Sequence, residues 1–402
     1  MRFHISPIQE GGTRVLFRPL VSQLARRQYT VPPGKIAKAY PQAEATIENH
    51  TMGHSLPRYL EMKVHQAVLE RPYDEITVLG AHQRSTPSII FKGEKRDKPF
   101  NWQRPTARVS PNGKHLYVEC FPGYAHVEHY AEIIATYLGI LQRQEGVNTD
   151  RLTHPSKVSF QPTSCSDTQK TLLENTNLKD LPEGIDTVIL GHVDRLEKLT
   201  GKVDWAQTEH QCCSWVVRKF NGRKVAFVGF RPNFWGDISG EVVHFLASRR
   251  GVKEVIYLGK LGSVKKGVRP NTYLATGGQS LVHGQVVEWD NTLSGSAARV
   301  GGDYVTPGNH MVVRSVLHET KDWLASLHSS VDFIDPEIGM MGQAAVKSGI
   351  RYGYLHIISD NVAEKYAEDL SNERQRSVLE RRAKLYDVVQ DVLGHHLSRP
   401  VV

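Results

Sequence analysis

The chain is short of cysteine, with four in 402 residues, two of them adjacent at Cys212 and Cys213. That number and spacing exclude a disulfide framework and make packed thiols in a reducing, cytoplasmic setting the expectation. No apolar run approaches the roughly 20 residues that cross a bilayer, so no membrane partner is expected. The opening MRFHISPIQEGGTRVLF has neither the apolar core nor the small-residue cleavage site of a secretory leader. Under that expectation the Asn49-His50-Thr51 sequon carries no glycan. Missing too are a Walker-type phosphate loop, a Rossmann glycine fingerprint and a serine-hydrolase elbow. The charge is +8 with a pI near 9.2, but no run of lysine and arginine concentrates it, so a basic soluble enzyme is expected and a nucleic acid partner is not. No metal is expected either. His126 and His129 stand three apart, and His50 and His54 four apart, with nothing to complete a ligand set.

What is present is an ordinary globular composition, 40% hydrophobic and 23% charged, in a chain long enough for two domains. The first 40 or so residues read as an extended arm or irregular cap. Helical spacing follows over 56–70 and a β-rich run over EITVLGAH. A proline-punctuated polar stretch (92–112), a strand KHLYVECF and a helix over 125–142 complete residues 1–145 as a smaller N-terminal α/β domain of unknown role. The polar segment 146–183 reads as a linker. Beyond it, strands TVILGH, KVAFVGF and EVIYLGK, with a crossover helix over 238–248, predict a parallel or mixed sheet covered on both faces over 184–402. A last amphipathic helix spans 372–393, with Gly394 as its stop. ITVLGAH with its following NGK strand parallels TVILGH with its following NGR strand, which marks the N-terminal domain as a candidate degenerate repeat of the other.

The segment VDFIDPEIGMMGQAAVKSGIRYGYLHIISDN carries the chemistry. A buried strand runs into an acidic turn, then a small-residue helix, a second strand and Ser359-Asp360. Carboxylates at the carboxyl ends of neighbouring strands sit where α/β sheets bind ligands. Together with the turn Gly259-Lys260-Leu261-Gly262-Ser263, this stretch resembles the nucleoside phosphorylase and nucleosidase superfamily, which includes purine and uridine phosphorylases. The resemblance covers about 185–393. It implies a three-layer α/β/α phosphorylase-type fold with a mixed sheet in the C-terminal half. It also implies cleavage of the N-glycosidic bond of a nucleoside or nucleotide and a homo-oligomer, with no organic cofactor and with inorganic phosphate as an optional co-substrate.

By that resemblance Glu337 holds the ribose hydroxyls and Asp360, oriented by Ser359, acts on the leaving base. Asp335 and Asn361 stand beside them. Glu337 can also be read as a helix N-terminal glutamate favoured by the dipole, and Asp360 as a strand-end cap. The resembled phosphorylases grip phosphate with an arginine two residues before the turn glycine and a serine just after it. Tyr257 and Lys260 occupy those positions here, and bulky Phe234 and Trp235 follow the second strand where small residues are usual. Gly259, Lys260, Arg231 and Arg195 are the candidates for holding an anion in another way; if none does, water is the nucleophile, which is the expectation preferred. Trp289 and Tyr304 are candidates for stacking on a base. The rival reading is a non-catalytic nucleotide-binding protein that kept the fold.

Overall fold

A computed structural model describes residues 38–399 apart from 42–44, 83, 85–87, 175, 209–210 and 234. The expected N-terminal arm and Phe234 lie outside the described residues. Every residue described belongs to one compact unit, Val31–Val402. Within it the sequence builds two sheets. The first contains β1 (Glu75–Leu79), β2 (Thr106–Val109), β3 (His115–Glu119) and β4 (Val158–Phe160), in the order β2-β3-β1-β4. β2 runs antiparallel to β3, while β3 and β4 are parallel to β1. The helix Tyr124–Arg143 lays Val127, Ile133, Ile134 and Leu138 into one core with Ile76, Val78, Leu116 and Phe160.

The second sheet has eleven strands: β5 (Thr187–Gly191), β6 (Cys213–Phe220), β7 (Arg223–Phe230), β8 (Glu254–Ser263), β9 (Leu274–Thr276), β10 (Gln279–Val282), β11 (Gln285–Glu288), β12 (Val305–Pro307), β13 (His310–Val312), β14 (Phe333–Asp335) and β15 (Arg351–Asn361). One edge runs β6-β7-β5-β8, and β8 continues through β15-β9-β12 and through β14-β13-β10-β11. Strand β8 reaches three neighbours because it is ten residues long. Its first half lies between β5 and β15, and its last residues, Gly262 and Ser263, pair with β14 and β15. Side chains alternate along the central strands. Val188, Ala226, Val255 and Tyr354 enter one core with the helices Asp237–Arg250 and Ile338–Ser348. Ile189, Phe227, Ile256 and Leu355 enter another with the helix Arg376–Leu397. The order β2-β3-β1-β4 and the order β6-β7-β5-β8 have the same strand directions: antiparallel, parallel, parallel.

Several local readings change. The segment 146–183 is not bare linker, for it carries β4 and the helix Cys165–Glu174. A three-residue strand is too short to leave a periodic pattern. The helical pattern of 56–70 is cut into Leu56–Glu61 and Ala67–Glu70, where His65 Nδ1 accepts from the Ala67 N–H (3.2 Å) and starts a new turn. The last helix passes through Gly394 to Leu397, since one interior glycine costs only about 1 kcal/mol.

Candidate active site

The ends of β5, β7, β14 and β15 and the middle of β8 meet the loop 91–105 around a cavity of about 210 Å³. Glycine is required at two of its walls. Gly191 has φ +106°, and a Cβ there would lie 1.9 Å from the Leu258 carbonyl oxygen. At Gly262 a Cβ would meet Asp360 Oδ2 at 3.0 Å and Ile334 at 3.2 Å.

On β14, the two carboxylates of the acidic turn divide their tasks. Asp335 Oδ1 accepts the N–H groups of Glu337 and Ile338, both at 2.8 Å, and so caps the helix Ile338–Ser348. His310 stands behind it, with Nε2 3.1 Å from Asp335 Oδ1 and Nδ1 2.8 Å from Ser280 Oγ. Glu337 makes no side-chain cap bond, although it occupies the N-cap position. Its carboxylate lines the cavity with no hydrogen bond to another described residue, only to its own N–H, and the residue is only 8% exposed. Burial, and after it the charge of Asp335, pushes that carboxyl well above the usual range. The dipole reading of Glu337 thus loses its main support, because Asp335 already does the capping. Asp335→Ala should lower stability by about 1–2 kcal/mol, the range for a lost N-cap, seen as a lower urea midpoint at unchanged slope. An unchanged midpoint would sink that assignment.

At the end of β15 the ladder slips. Ile358 pairs with Leu261 but Asp360 pairs with Gly262, so Ser359 is the extra residue of a bulge. Bulges re-aim side chains at strand ends, and this one brings Ser359 and Asp360 into the cavity wall. Ser359 Oγ donates to Asp360 Oδ1 at 2.7 Å. Burial pushes the Asp360 carboxyl up to about 6, opposed by Ser359 and raised further by Glu373.

Of the other expected site residues, Gly259 and Lys260 line the cavity. Lys260, however, is held by Glu373, which also takes Arg382 Nη2 at 3.0 Å, so it is not a free anion ligand. Arg231 is a correction. It is 1% exposed and spends its guanidinium on the carbonyls of Gln211 (3.0 Å) and Trp205 (2.8 Å) and on Ser214 Oγ (2.7 Å). Arg195 is another: its side chain is 57% exposed and pairs with Asp194. Asn361 shapes a loop, donating to the carbonyls of Lys265 and Val268 and accepting from Ala363 and Glu364. Trp289 packs on Tyr352 and Tyr354, and Tyr304 is half exposed, so neither reaches the cavity. Trp235 does reach it, stacked on His129 with centroids 4.3 Å apart. His129 and His126 bond Ser315 Oγ and the Phe121 carbonyl, and no metal-ligating group of three exists among the described residues.

Sequence reasoning missed the wall given by the N-terminal half: Tyr59, Lys63, Lys95, Lys98 and Arg104. The signal was there in GEKRDKPFNWQRP, where cations alternate with aromatics in a stretch with no periodicity. As sequence, the stretch reads only as polar and broken by prolines.

No family model matches the chain. A curated protein, the oxidoreductase cns1 of Cordyceps militaris, is 24% identical over 252 residues, 55% of this chain and 30% of its own length. The chain therefore spans under a third of that relative. Among solved structures, the native futalosine hydrolase of Helicobacter pylori strain 26695 is similar at a TM-score of 0.41 and 15% identity, covering 52% of this chain and 98% of its own. The 5'-methylthioadenosine/S-adenosyl homocysteine nucleosidase of Campylobacter jejuni gives 0.41 and 11%, covering 53% and 100%. That of S. pneumoniae, with a transition-state inhibitor, gives 0.37 and 15%, covering 53% and 97%.

Proposed function

We propose that this chain is an enzyme that cleaves the N-glycosidic bond of a nucleoside or nucleotide. The observation that supports it most is the meeting of two different carboxyl groups in one cavity. Asp360 is a carboxyl pushed up to about 6, able to carry a proton near neutral pH. Glu337 is a carboxyl without a hydrogen bond to another described residue, relieved of helix capping by Asp335. As the C1′–N bond breaks, the ribosyl group gains oxocarbenium-like positive charge. Glu337, a carboxyl that burial holds in its protonated form, orients the ribosyl hydroxyls by hydrogen bonds, while Asp360 hands a proton to the departing ring nitrogen. In hydrolysis the hydroxide portion of water joins C1′ and its remaining proton restores Asp360. Water is the preferred nucleophile for the reasons at Tyr257 and Lys260: a buried tyrosine offers no bidentate grip, and Lys260 is engaged by Glu373.

The test is incubation with a panel of nucleosides and nucleotides, with and without phosphate, reading free base by chromatography. Release of base from at least one member, with free ribose or ribose phosphate as the sugar product, is the expected result. No base from any member, at enzyme concentrations that match the substrate, refutes the reading.

A further inference from the structure

We propose that Lys63, Lys95 and Lys98 form a phosphate subsite in this cavity, taking the phosphate of a nucleotide substrate or inorganic phosphate. This rests on the glycosidic-cleavage reading and narrows its substrate class. The three lysines line the same cavity as Asp360 and Glu337. None of them has an ion-pair partner within 4.0 Å among the described residues. Asp360, ionised at pH 8, shares the cavity but lies outside ion-pair distance of the three. Glu373 is taken by Lys260 and Arg382, while burial pushes Glu319 and Glu337 well above the usual range. A cavity of about 210 Å³ suits a small phosphate compound.

The lysines are also held in place. Backbone N–H groups of Asn101, Trp102 and Gln103 donate to the carbonyls of Phe230 and Arg231 at 2.7–3.1 Å, tying loop 91–105 to the end of β7. Glu94 binds Arg84 (2.6 Å) and the Arg104 N–H (3.2 Å), bracing the loop from within. Burial, then the neighbouring charges, lowers Lys98 to about 7 and Lys95 to about 8, and Lys63 falls well below its usual value. The groups facing them are Arg104, Lys260, Arg374 and His192 on the basic side, Glu373 and Asp194 on the acidic side, and the Tyr59 ring 5.2 Å from Lys63 Nζ. A phosphate dianion placed among the ammonium groups reverses that depression, so its binding takes up protons near pH 8.

Titration calorimetry at pH 8, in two buffers of different ionisation heat, tests this on the full chain. The probes are inorganic phosphate, a ribonucleoside and its 5′-monophosphate. A phosphate-bearing probe should bind with net proton uptake. The double substitution Lys95→Met/Lys98→Met should weaken it about 100-fold, as expected for lost charged hydrogen bonds, with nucleoside affinity held within about threefold. Lys95→Arg/Lys98→Arg should retain most of the binding, which separates lost charge from lost fold. Tighter binding of the monophosphate assigns the site to the nucleotide, whereas binding of inorganic phosphate that also accelerates base release assigns it to a co-substrate. If neither phosphate probe binds, or the Met variant binds as the native chain does, the subsite is wrong. Phosphate binding that depends on the lysines, without base release from any substrate, leaves the subsite standing and removes the cleavage reading. Base release indifferent to phosphate and to both lysines does the reverse.

Discussion

Asp360→Asn should lower base release at least about 100-fold, the usual contribution of a positioned proton donor. The substitution keeps the shape and the Ser359 contact, so the fold and the nucleoside affinity should persist. The native pH profile carries the second half of the expectation. Only the protonated acid donates, and with the carboxyl at about 6 its protonated fraction falls roughly tenfold per pH unit above that value. Turnover should therefore decline with rising pH from about 6 upward, and that limb should vanish in the variant. Steady-state rates between pH 5 and 9 decide it. Native turnover in the Asp360→Asn chain removes this carboxyl from the mechanism, and a native profile flat over that range removes its role as the acid.

Glu337→Ala should cut kcat/KM on ribonucleosides by roughly 100-fold, in line with the loss of one or two hydrogen bonds in a buried site. On 2′,3′-dideoxy analogues it should change little, because the hydroxyls it serves are gone. Its melting temperature should stay native, since the helix below is capped by Asp335. This asymmetry separates a sugar ligand from a structural glutamate. Equal losses on both substrate series, together with a lowered melting temperature, would return Glu337 to a helix-terminal role.

What the sequence displayed and what it hid follow one physical division. Strands buried on both faces, such as TVILGH and KVAFVGF, show as apolar runs rich in β-branched residues, and the motif from Val331 to Asn361 brings Asp335, Glu337, Ser359 and Asp360 to the wall of one cavity. Local patterns encode local geometry. Partnership across the chain is not encoded that way. Arg231 looked like an anion ligand, yet three acceptors from distant segments consume it. Lys260 looked free until Glu373, 113 residues on, closed over it. Lys95 and Lys98 sit in a stretch whose cations and aromatics hint at a binding role, but nothing periodic governs loop 91–105, so its place at a cavity of the other half was hidden. Asp335 stood beside Glu337 in the acidic turn with no role of its own, and only its hydrogen bonds show the division of labour.

One contact bears on how the whole chain melts. Asp237 begins its own helix and, through Oδ1 and Oδ2, accepts the N–H groups of Ala125 and Tyr124 at the start of the helix Tyr124–Arg143, each at 2.9 Å. Two helix amino ends, each with partial positive charge, thus share a single carboxylate. Losing either half exposes unsatisfied donors or a buried carboxyl in the other. The contact couples the two sheets in free energy, which favours their melting together over the separate melting of two modules.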